Sequence, residues 1–155
     1  MTRKHIEGKL LKMGISLPSP VLPIAEYVPA KLVGKMLYVS GQGPAKEGAF
    51  PYIGRVGAEV SVEQGYESAR FCTVNGLAAA KALIGTLDRI TEVVHVRGFV
   101  NSSPDFHDQP QIINGASELL IELFGELGRH ARAALGTGNL PGNIPVEIEF
   151  LFLVE

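Results

Sequence analysis

Two kinds of side chain near the end of the sequence could do chemistry together. Arg132 stands at the head of one predicted strand, and Glu147 and Glu149 stand two residues apart in another. A guanidinium offers a planar, bidentate match to a carboxylate and stays charged at any relevant pH. Two neighbouring carboxylates on one strand face can raise the pKa of one of them toward the range of a general base. These residue types could supply a carboxylate clamp and a base, but by themselves an arginine at a strand start is usually a solvated surface charge and two such glutamates can form an exposed acidic face.

Period-two alternation predicts the strand that carries both glutamates. Its buried face would hold Val146, Ile148, Phe150, Phe152 and Val154, and its other face Glu147, Glu149, Leu151 and Leu153. We expect Arg132 to Thr137 to form a hairpin with this strand, centred near Pro141-Gly142. Arg132 would then pair near Leu151, and Glu147 would lie about 13 Å away. Because the two would not meet within one subunit, we expect the Arg132 of one chain to face the Glu147 of its neighbour.

Two long helices must support these strands. The first begins at a capping box, Ser61-Val62-Glu63-Gln64, and ends at Gly85. The second runs from about Asp108 to Gly128. A short amphipathic helix is predicted within Thr2 to Gly14, before the proline-rich stretch Leu17 to Pro23. We therefore expect a single domain over residues 1–155, with an N-terminal extension (1–23) and a core (24–155).

Three further strands complete the predicted sheet. Tyr27 to Val33 and Met36 to Ser40 flank Gly34-Lys35 as a hairpin, and Val93 to Val100 has the β-branched composition of a central strand. The loop Gly43 to Gly57 is of a kind that often borders a site. The order β-β-α-β-α-β-β predicts an α+β fold: a mixed sheet with both long helices on one face.

Composition limits the classes of protein. The 155 residues are 46% hydrophobic and 19% charged, the balance of a globular protein. The net charge is −2 and no run of Lys or Arg exceeds two, which argues against nucleic acid or an anionic membrane as a partner. The N-terminus shows no continuous apolar segment, so we expect neither a signal peptide nor a membrane anchor, and hence a cytoplasmic protein.

Reactive and metal-binding side chains are few. The single cysteine, Cys72, lies among apolar positions of the first long helix and is predicted to be a buried small hydrophobe. The four histidines are scattered, so we expect no metal site. No ordering of histidine, serine and carboxylate indicates a nucleophile.

Several segments are similar to one known family. Three segments resemble the C-terminal signature of the YjgF-like reactive-intermediate deaminase (Rid) superfamily, whose members are also called L-PSP endoribonucleases: Arg129 to Gly136, Leu140-Pro141 and Pro145 to Glu149. They keep the family's separation between the arginine and the glutamate. Tyr27-Val28 resembles the family's tyrosine, and Leu37 to Pro44 resembles its Ser-Gly-Gln segment. Ile113 to Ala116 resembles the segment that carries the family's asparagine. The resemblance spans roughly residues 24 to 154.

The sequence also departs from the family's usual pattern. Ala25-Glu26 stands where Gly-Pro is usual, His130 where proline is common, and Ala134 where many members carry cysteine. Together with the extra N-terminal helix and longer loops, these departures indicate a divergent, longer subgroup.

The resemblance implies a chorismate-mutase-like fold, a homotrimer and active-site clefts between adjacent subunits. It implies hydrolysis of 2-aminoacrylate-type enamines and their imine tautomers to 2-oxo acids and ammonia, a reaction that needs no cofactor. By position, Arg132 would bind the carboxylate of a small imino-acid ligand, Glu147 would hold or activate water, and Tyr27, Ser40 and Asn114 would line the pocket.

Alternatives remain for the function and for these residues. The Arg132 cleft could belong to a non-catalytic trimeric protein that binds small carboxylate metabolites, and an endoribonuclease is disfavoured by the charge. Tyr27 could equally be a half-buried strand aromatic. Ser40 could be a packed hydroxyl, and Asn114 could cap or bridge a helix turn.

Overall fold

The computed structural model describes residues 5–20, 23 and 25–155. Within them, a layer of helices packs on one face of a β-sheet. In chain order the elements are α1 (Ile6–Lys12), β1 (Ala30–Val33), β2 (Met36–Gln42), α2 (Val62–Ile84), β3 (Ile90–Asn101), α3 (Gln109–Phe124), β4 (Ala131–Thr137) and β5 (Val146–Val154). Short 3₁₀ turns follow α2, α3 and β4, at Leu87–Arg89, Gly125–Gly128 and Pro141–Asn143.

The sheet is mixed, as predicted. Its five strands, among the residues described, run in the order β1-β2-β5-β3-β4. β3 and β4 are parallel, whereas the other neighbouring pairs are antiparallel. The α+β prediction, with both long helices on one face, is confirmed.

The predicted hairpin of the last two strands is wrong. β4 pairs in parallel with β3, which places Arg132 opposite Val96 and not opposite Leu151. β5 instead lies between β2 and β3, where Leu151 is opposite Tyr38 and His95. A helix such as α3 can carry the chain across to a parallel strand. β5 is the more apolar strand and gains two neighbours in the centre, whereas β4 forms an edge.

Local signals correctly predicted α2. The Ser61 hydroxyl accepts from the Gln64 amide at 3.1 Å, and the Gln64 side chain accepts from the Ser61 amide at 3.0 Å, which completes the capping box. Gly85, at φ 88°, ends the helix. The predicted second helix is α-helical only to Phe124, because a 3₁₀ turn follows from Gly125.

The core lies between the helices and the even-numbered face of β5, where Val146, Ile148, Phe150, Phe152 and Val154 are buried. The helices approach the sheet closely at two glycines. A Cβ on Gly76 of α2 would lie 2.6 Å from the Phe150 ring, and one on Gly98 of β3 would lie 2.4 Å from Ile113 of α3. No described helix covers the other face of β5, where the glutamates lie.

The N-terminal helix packs on the domain by one side, as predicted. Ile6 and Leu10 are buried. The Ile6 amide donates to Asp88 at 2.8 Å, and the Lys9 ammonium donates to the Leu123 carbonyl at 2.7 Å. The predicted start of this helix at Thr2, and part of the proline-rich stretch at Val21 and Leu22, lie outside the described residues. No helix in the described part of the chain has the length and apolar character that a membrane crossing requires.

Candidate functional site

Arg132 is held by the first turns of α3. Its side chain lies on the helix-covered face of β4, where Nη1 donates to Asn114 Oδ1 at 2.8 Å and to Ser117 Oγ at 3.1 Å. Nη2 donates to the Pro110 carbonyl at 3.4 Å. Asn114 and Ser117 are three residues apart on α3 and therefore share one face of that helix.

The charge of Arg132 is not neutralised by these partners. All three acceptors are uncharged oxygens, and no ion pair between described residues includes Arg132. A guanidinium has five N–H donors, of which these contacts use both on Nη1 and one on Nη2. The remaining donors, on the adjacent Nε and Nη2, match a bidentate anion. Half-buried and oriented in this way, Arg132 can bind a carboxylate.

His130 and Ser117, which no sequence motif connects, lie beside Arg132. Ser117 Oγ lies 2.9 Å from His130 Nε2, and His130 Nδ1 lies 2.6 Å from the Gly128 carbonyl. Burial is the main cause that lowers the pKa of His130, and the charges of Arg132 and His95 lower it further. The position of His130 two residues before Arg132 was the only sequence signal; the contact with Ser117 depends on how α3 packs.

Glu147 occupies a different place. It lies on the uncovered face of β5, where burial, followed by the charge of Glu149, raises its pKa. A carboxyl group with a raised pKa beside a cavity is a candidate general base. The cavity has a volume of about 350 Å³. Its walls are formed by Glu147 and by Pro23, Tyr27, Pro29, Gly41, Gln42, Gly43, Ala45, Phe50, Pro141, Gly142 and Ile144.

A β-bulge shapes the cavity wall opposite Glu147. The pairing of β2 with β5 shifts between Val39 and Gln42, so that β2 contains one extra residue. Gly41 of this bulge faces Glu147: a Cβ there would lie 3.1 Å from both Cδ and Oε2 of the glutamate. A glycine at this position leaves the carboxylate room.

Ser40 lies outside the lining of this cavity. Its hydroxyl donates to the Val28 carbonyl at 2.7 Å, and its amide donates to the Pro29 carbonyl at 2.9 Å. Ser40 thereby fixes the segment that carries Tyr27, whose half-exposed ring does line the cavity.

The loop from Gly43 to Gly57 forms another wall. The Asn75 side chain on α2 donates to the carbonyls of Gly43 and Ala45, both at 2.9 Å. Tyr52 donates to Glu67 at 2.5 Å. These bonds tie the loop to α2 and bring Phe50, which is 45% exposed, to the cavity.

The sequence-predicted residues thus fall into two groups. Glu147 and Tyr27 share the cavity, whereas Asn114 contacts Arg132 on the other side of the sheet. Arg132 pairs with Val96 and Glu147 pairs with Phe99, which separates their Cα atoms by two strands and three residues, or about 14 Å.

Two other sequence predictions can be compared with the described residues. Cys72 is buried, as predicted, and burial raises the pKa of its thiol well above the usual value. No group of three or more His, Cys, Asp or Glu in the described ranges is placed to hold a metal ion.

Comparison with known proteins identifies the family. Residues 7–153 match the family model described as "YjgF/chorismate_mutase-like, putative endoribonuclease". Protein TCP17 of Trypanosoma cruzi is 40% identical over 148 residues, which cover 95% of this chain and 92% of the relative.

Two solved structures are similar over nearly their whole length. A protein of unknown function from Agrobacterium tumefaciens is 43% identical, with a TM-score of 0.89 over 98% of this chain and 93% of that one. A Shewanella oneidensis protein, described as a putative endoribonuclease, is 33% identical, with a TM-score of 0.93 over 96% and 99%. By its sequence and its fold, this chain belongs to the YjgF/chorismate mutase-like family.

Proposed function

We propose that this protein hydrolyses small 2-imino acids, including the imine tautomer of 2-aminoacrylate, to 2-oxo acids and ammonia. The observation that carries the proposal is the hydrogen bonding of the Arg132 guanidinium. Its guanidinium is oriented by Asn114 and Ser117 through uncharged oxygens, and it keeps donors free on two adjacent nitrogens. Such an arginine suits the carboxylate that every 2-imino acid carries.

The complete site is proposed to form between subunits of a homotrimer. Arg132 and Glu147 lie too far apart in one chain to touch the same small substrate. The uncovered face of the sheet carries exposed apolar side chains, including Val33, Tyr38 and Leu135, each 45% exposed or more, and large apolar patches favour association. In the trimer, Arg132 of one chain would face the partner subunit's Glu147.

Glu147 is proposed to act as the general base. It takes a proton from water as the water oxygen bonds to C2 of the imine; the C=N π electrons move to nitrogen, and Glu147 passes the proton to that nitrogen to give a carbinolamine. Glu147 then takes the hydroxyl proton of the carbinolamine as the carbonyl forms and the C–N bond breaks, and passes this proton to the departing nitrogen. The products are the 2-oxo acid and ammonia. Burial raises the pKa of Glu147, which makes its carboxylate a stronger base than an exposed one.

The cavity beside Glu147 is proposed to receive the substituent at C3 of the substrate. Phe50, Pro141 and Ile144 give it mainly apolar walls. Apolar walls suit an alkyl group, because they offer it burial and leave few polar groups to be desolvated.

The test is the release of ammonia and 2-oxo acid from enzymatically generated 2-aminoacrylate. We expect activity in the wild type and its loss in Arg132→Ala. Arg129→Ala is the matched control, because Arg129 lies three residues away, is exposed and, among the described residues, forms its ion pair with Glu126 at the surface. Full activity in Arg132→Ala would remove Arg132 from the mechanism. An inactive wild type that still binds 2-oxo acids would favour a carboxylate-binding protein instead.

A further inference from the structure

A row of hydrogen bonds leads from the backbone before β4 to the guanidinium of Arg132. His130 Nδ1 lies 2.6 Å from the Gly128 carbonyl, and His130 Nε2 lies 2.9 Å from Ser117 Oγ. Ser117 Oγ in turn accepts from Arg132 Nη1 at 3.1 Å. Among the hydrogen bonds of the described residues, the path from His130 to Arg132 passes through the serine hydroxyl.

The direction of each bond follows from the chemistry of the groups. A carbonyl oxygen can only accept, so Nδ1 of His130 carries a proton and donates it to Gly128. In a neutral ring Nε2 is then bare and accepts the proton of the Ser117 hydroxyl. Without this acceptor, a serine within a helix commonly turns its proton to the carbonyl one turn back. His130 therefore determines where the Ser117 hydroxyl points, and leaves its oxygen lone pairs to Arg132.

The surroundings of His130 favour the neutral ring. The charged or titratable groups that act on it within the described chain are Arg132 from β4 and His95 from β3. The face of α3 against it presents the uncharged Ser117, and the nearby Glu126 is paired with Arg129. With burial as the leading cause, these surroundings lower the pKa of His130, although the bond to Gly128 opposes the change.

We propose that His130 is a positioning residue for Arg132: acting through Ser117, it fixes Nη1 so that the donors on Nε and Nη2 face a substrate carboxylate. The inference rests on the proposed role of Arg132 as the carboxylate anchor and adds the residues that hold it in place. His130 itself touches no substrate in this scheme. The geometry that carries it is the unbroken set of contacts between Gly128, His130, Ser117 and Arg132.

Two substitutions separate the two nitrogens of the ring. His130→Gln keeps an acceptor near the place of Nε2, whereas His130→Asn keeps a donor near the place of Nδ1 and loses the acceptor for Ser117. We expect His130→Asn to weaken binding of 2-oxobutanoate, a product-like carboxylate, by about tenfold, the worth of one hydrogen bond to a charged group. His130→Gln should bind with an affinity nearer to that of the wild type.

A double-mutant cycle tests whether the effect passes through Ser117. Ser117→Ala should weaken binding to a similar degree, and adding His130→Asn to it should cost little more, because the path is already broken. Titration calorimetry with 2-oxobutanoate measures all four proteins, and thermal unfolding confirms that each is folded. Additive losses would overturn the proposal, since a purely structural histidine would act independently of Ser117.

Nitrogen-15 NMR of the histidine ring gives a readout that does not depend on any activity. We expect a neutral His130 with its proton on Nδ1 in the wild type. A proton on Nε2 would overturn the inference even if the proposed function holds. A wild type that shows the Nδ1 proton but binds no 2-oxobutanoate would instead contradict the role of Arg132 as carboxylate anchor.

Discussion

Arg132 and Glu147 lie on opposite faces of one sheet. Arg132 belongs to the edge strand β4 and points to the helices, whereas Glu147 belongs to the central strand β5 and points away from them. No rotamer change can bring the two side chains to a single small molecule through the sheet. A reaction that uses both must draw them from two copies of the chain.

Complementation between inactive variants tests this arrangement. Arg132→Ala and Glu147→Gln should each abolish imine hydrolysis when made alone. In mixed trimers assembled at random from equal amounts, about one cleft in four would combine an intact Arg132 with an intact Glu147. We therefore expect about a quarter of the wild-type activity after coexpression. Mixed trimers that are verified by mass spectrometry and yet remain inactive would contradict the shared cleft.

A methyl group at Gly41 should disturb the base without unfolding the protein. In Gly41→Ala the new Cβ would lie 3.1 Å from Glu147 Oε2, so the carboxylate must shift by a few tenths of an ångström. A misplacement of about 1 Å can cost about a hundredfold, so for this smaller shift we expect kcat/KM to fall by up to about tenfold.

Gly138→Ala provides the matched control for this substitution. A Cβ at Gly138 meets nothing within 4 Å in the described structure, so this variant should retain kcat/KM. Both melting temperatures should stay close to that of the wild type. An unchanged rate in Gly41→Ala would show that the position of Glu147 does not limit the reaction.

The pH dependence of the rate should follow Glu147. Only the ionised carboxylate can accept a proton from water, so kcat/KM should rise as the pH passes upward through the pKa of Glu147. Burial is the first cause that raises this pKa, and the charge of Glu149 is the second. Glu149→Gln removes that charge and frees Arg97, its partner at 2.8 Å. Removal of the Glu149 charge lowers the pKa of Glu147, so the acid limb of the profile should move to lower pH.

The free energy of unfolding should also depend on the ionisation of Glu147, but it should fall with rising pH where kcat/KM rises. Because the pKa of Glu147 is raised in the folded state, the folded chain holds this proton more tightly than the unfolded chain does. The stabilisation that results is present below the unfolded pKa and is lost as the pH rises through the folded pKa. Relative to the wild type, Glu147→Gln should therefore gain stability between about pH 4 and about pH 7. Urea unfolding at both pH values measures this; a difference that stays constant would contradict it.

The sequence patterns that predicted the fold are the local ones. The capping box at Ser61 and the alternation from Val146 to Val154 are complete within a few residues, and both elements form where they were expected. The partner of β4 is not a local property. The turn signal at Pro141-Gly142 suggested a hairpin, but those residues form a 3₁₀ turn. β4 instead pairs with β3, from which α3 separates it in the sequence.

The candidate site divides in the same way. Arg132 and Glu147 could be identified as site candidates from the sequence, because their separation matches that of the family's signature. The contact of Ser117 with His130 follows from the rotation and height of α3 above the sheet, which close approaches such as Gly98 to Ile113 determine. These approaches join residues far apart in sequence, so no short motif predicts them.

The bulge in β2 also restricts how this protein can change over generations. Side chains alternate between the two faces of a strand, so the extra residue of the bulge turns the later side chains of β2 to the opposite face. Gln42 therefore pairs with Ile148 and is buried. Deletion of the Gly41 codon would remove the bulge: Gln42 would still pair with Ile148, but Ser40 would stand alone opposite Glu149, and the space that Gly41 leaves beside Glu147 would be lost. Substitutions in the loop from Gly43 to Gly57, by contrast, alter the cavity wall and leave the strand register intact. A change in the loop therefore alters what the cavity can accept, whereas a change in the length of β2 alters the surroundings of the Glu147 carboxylate itself.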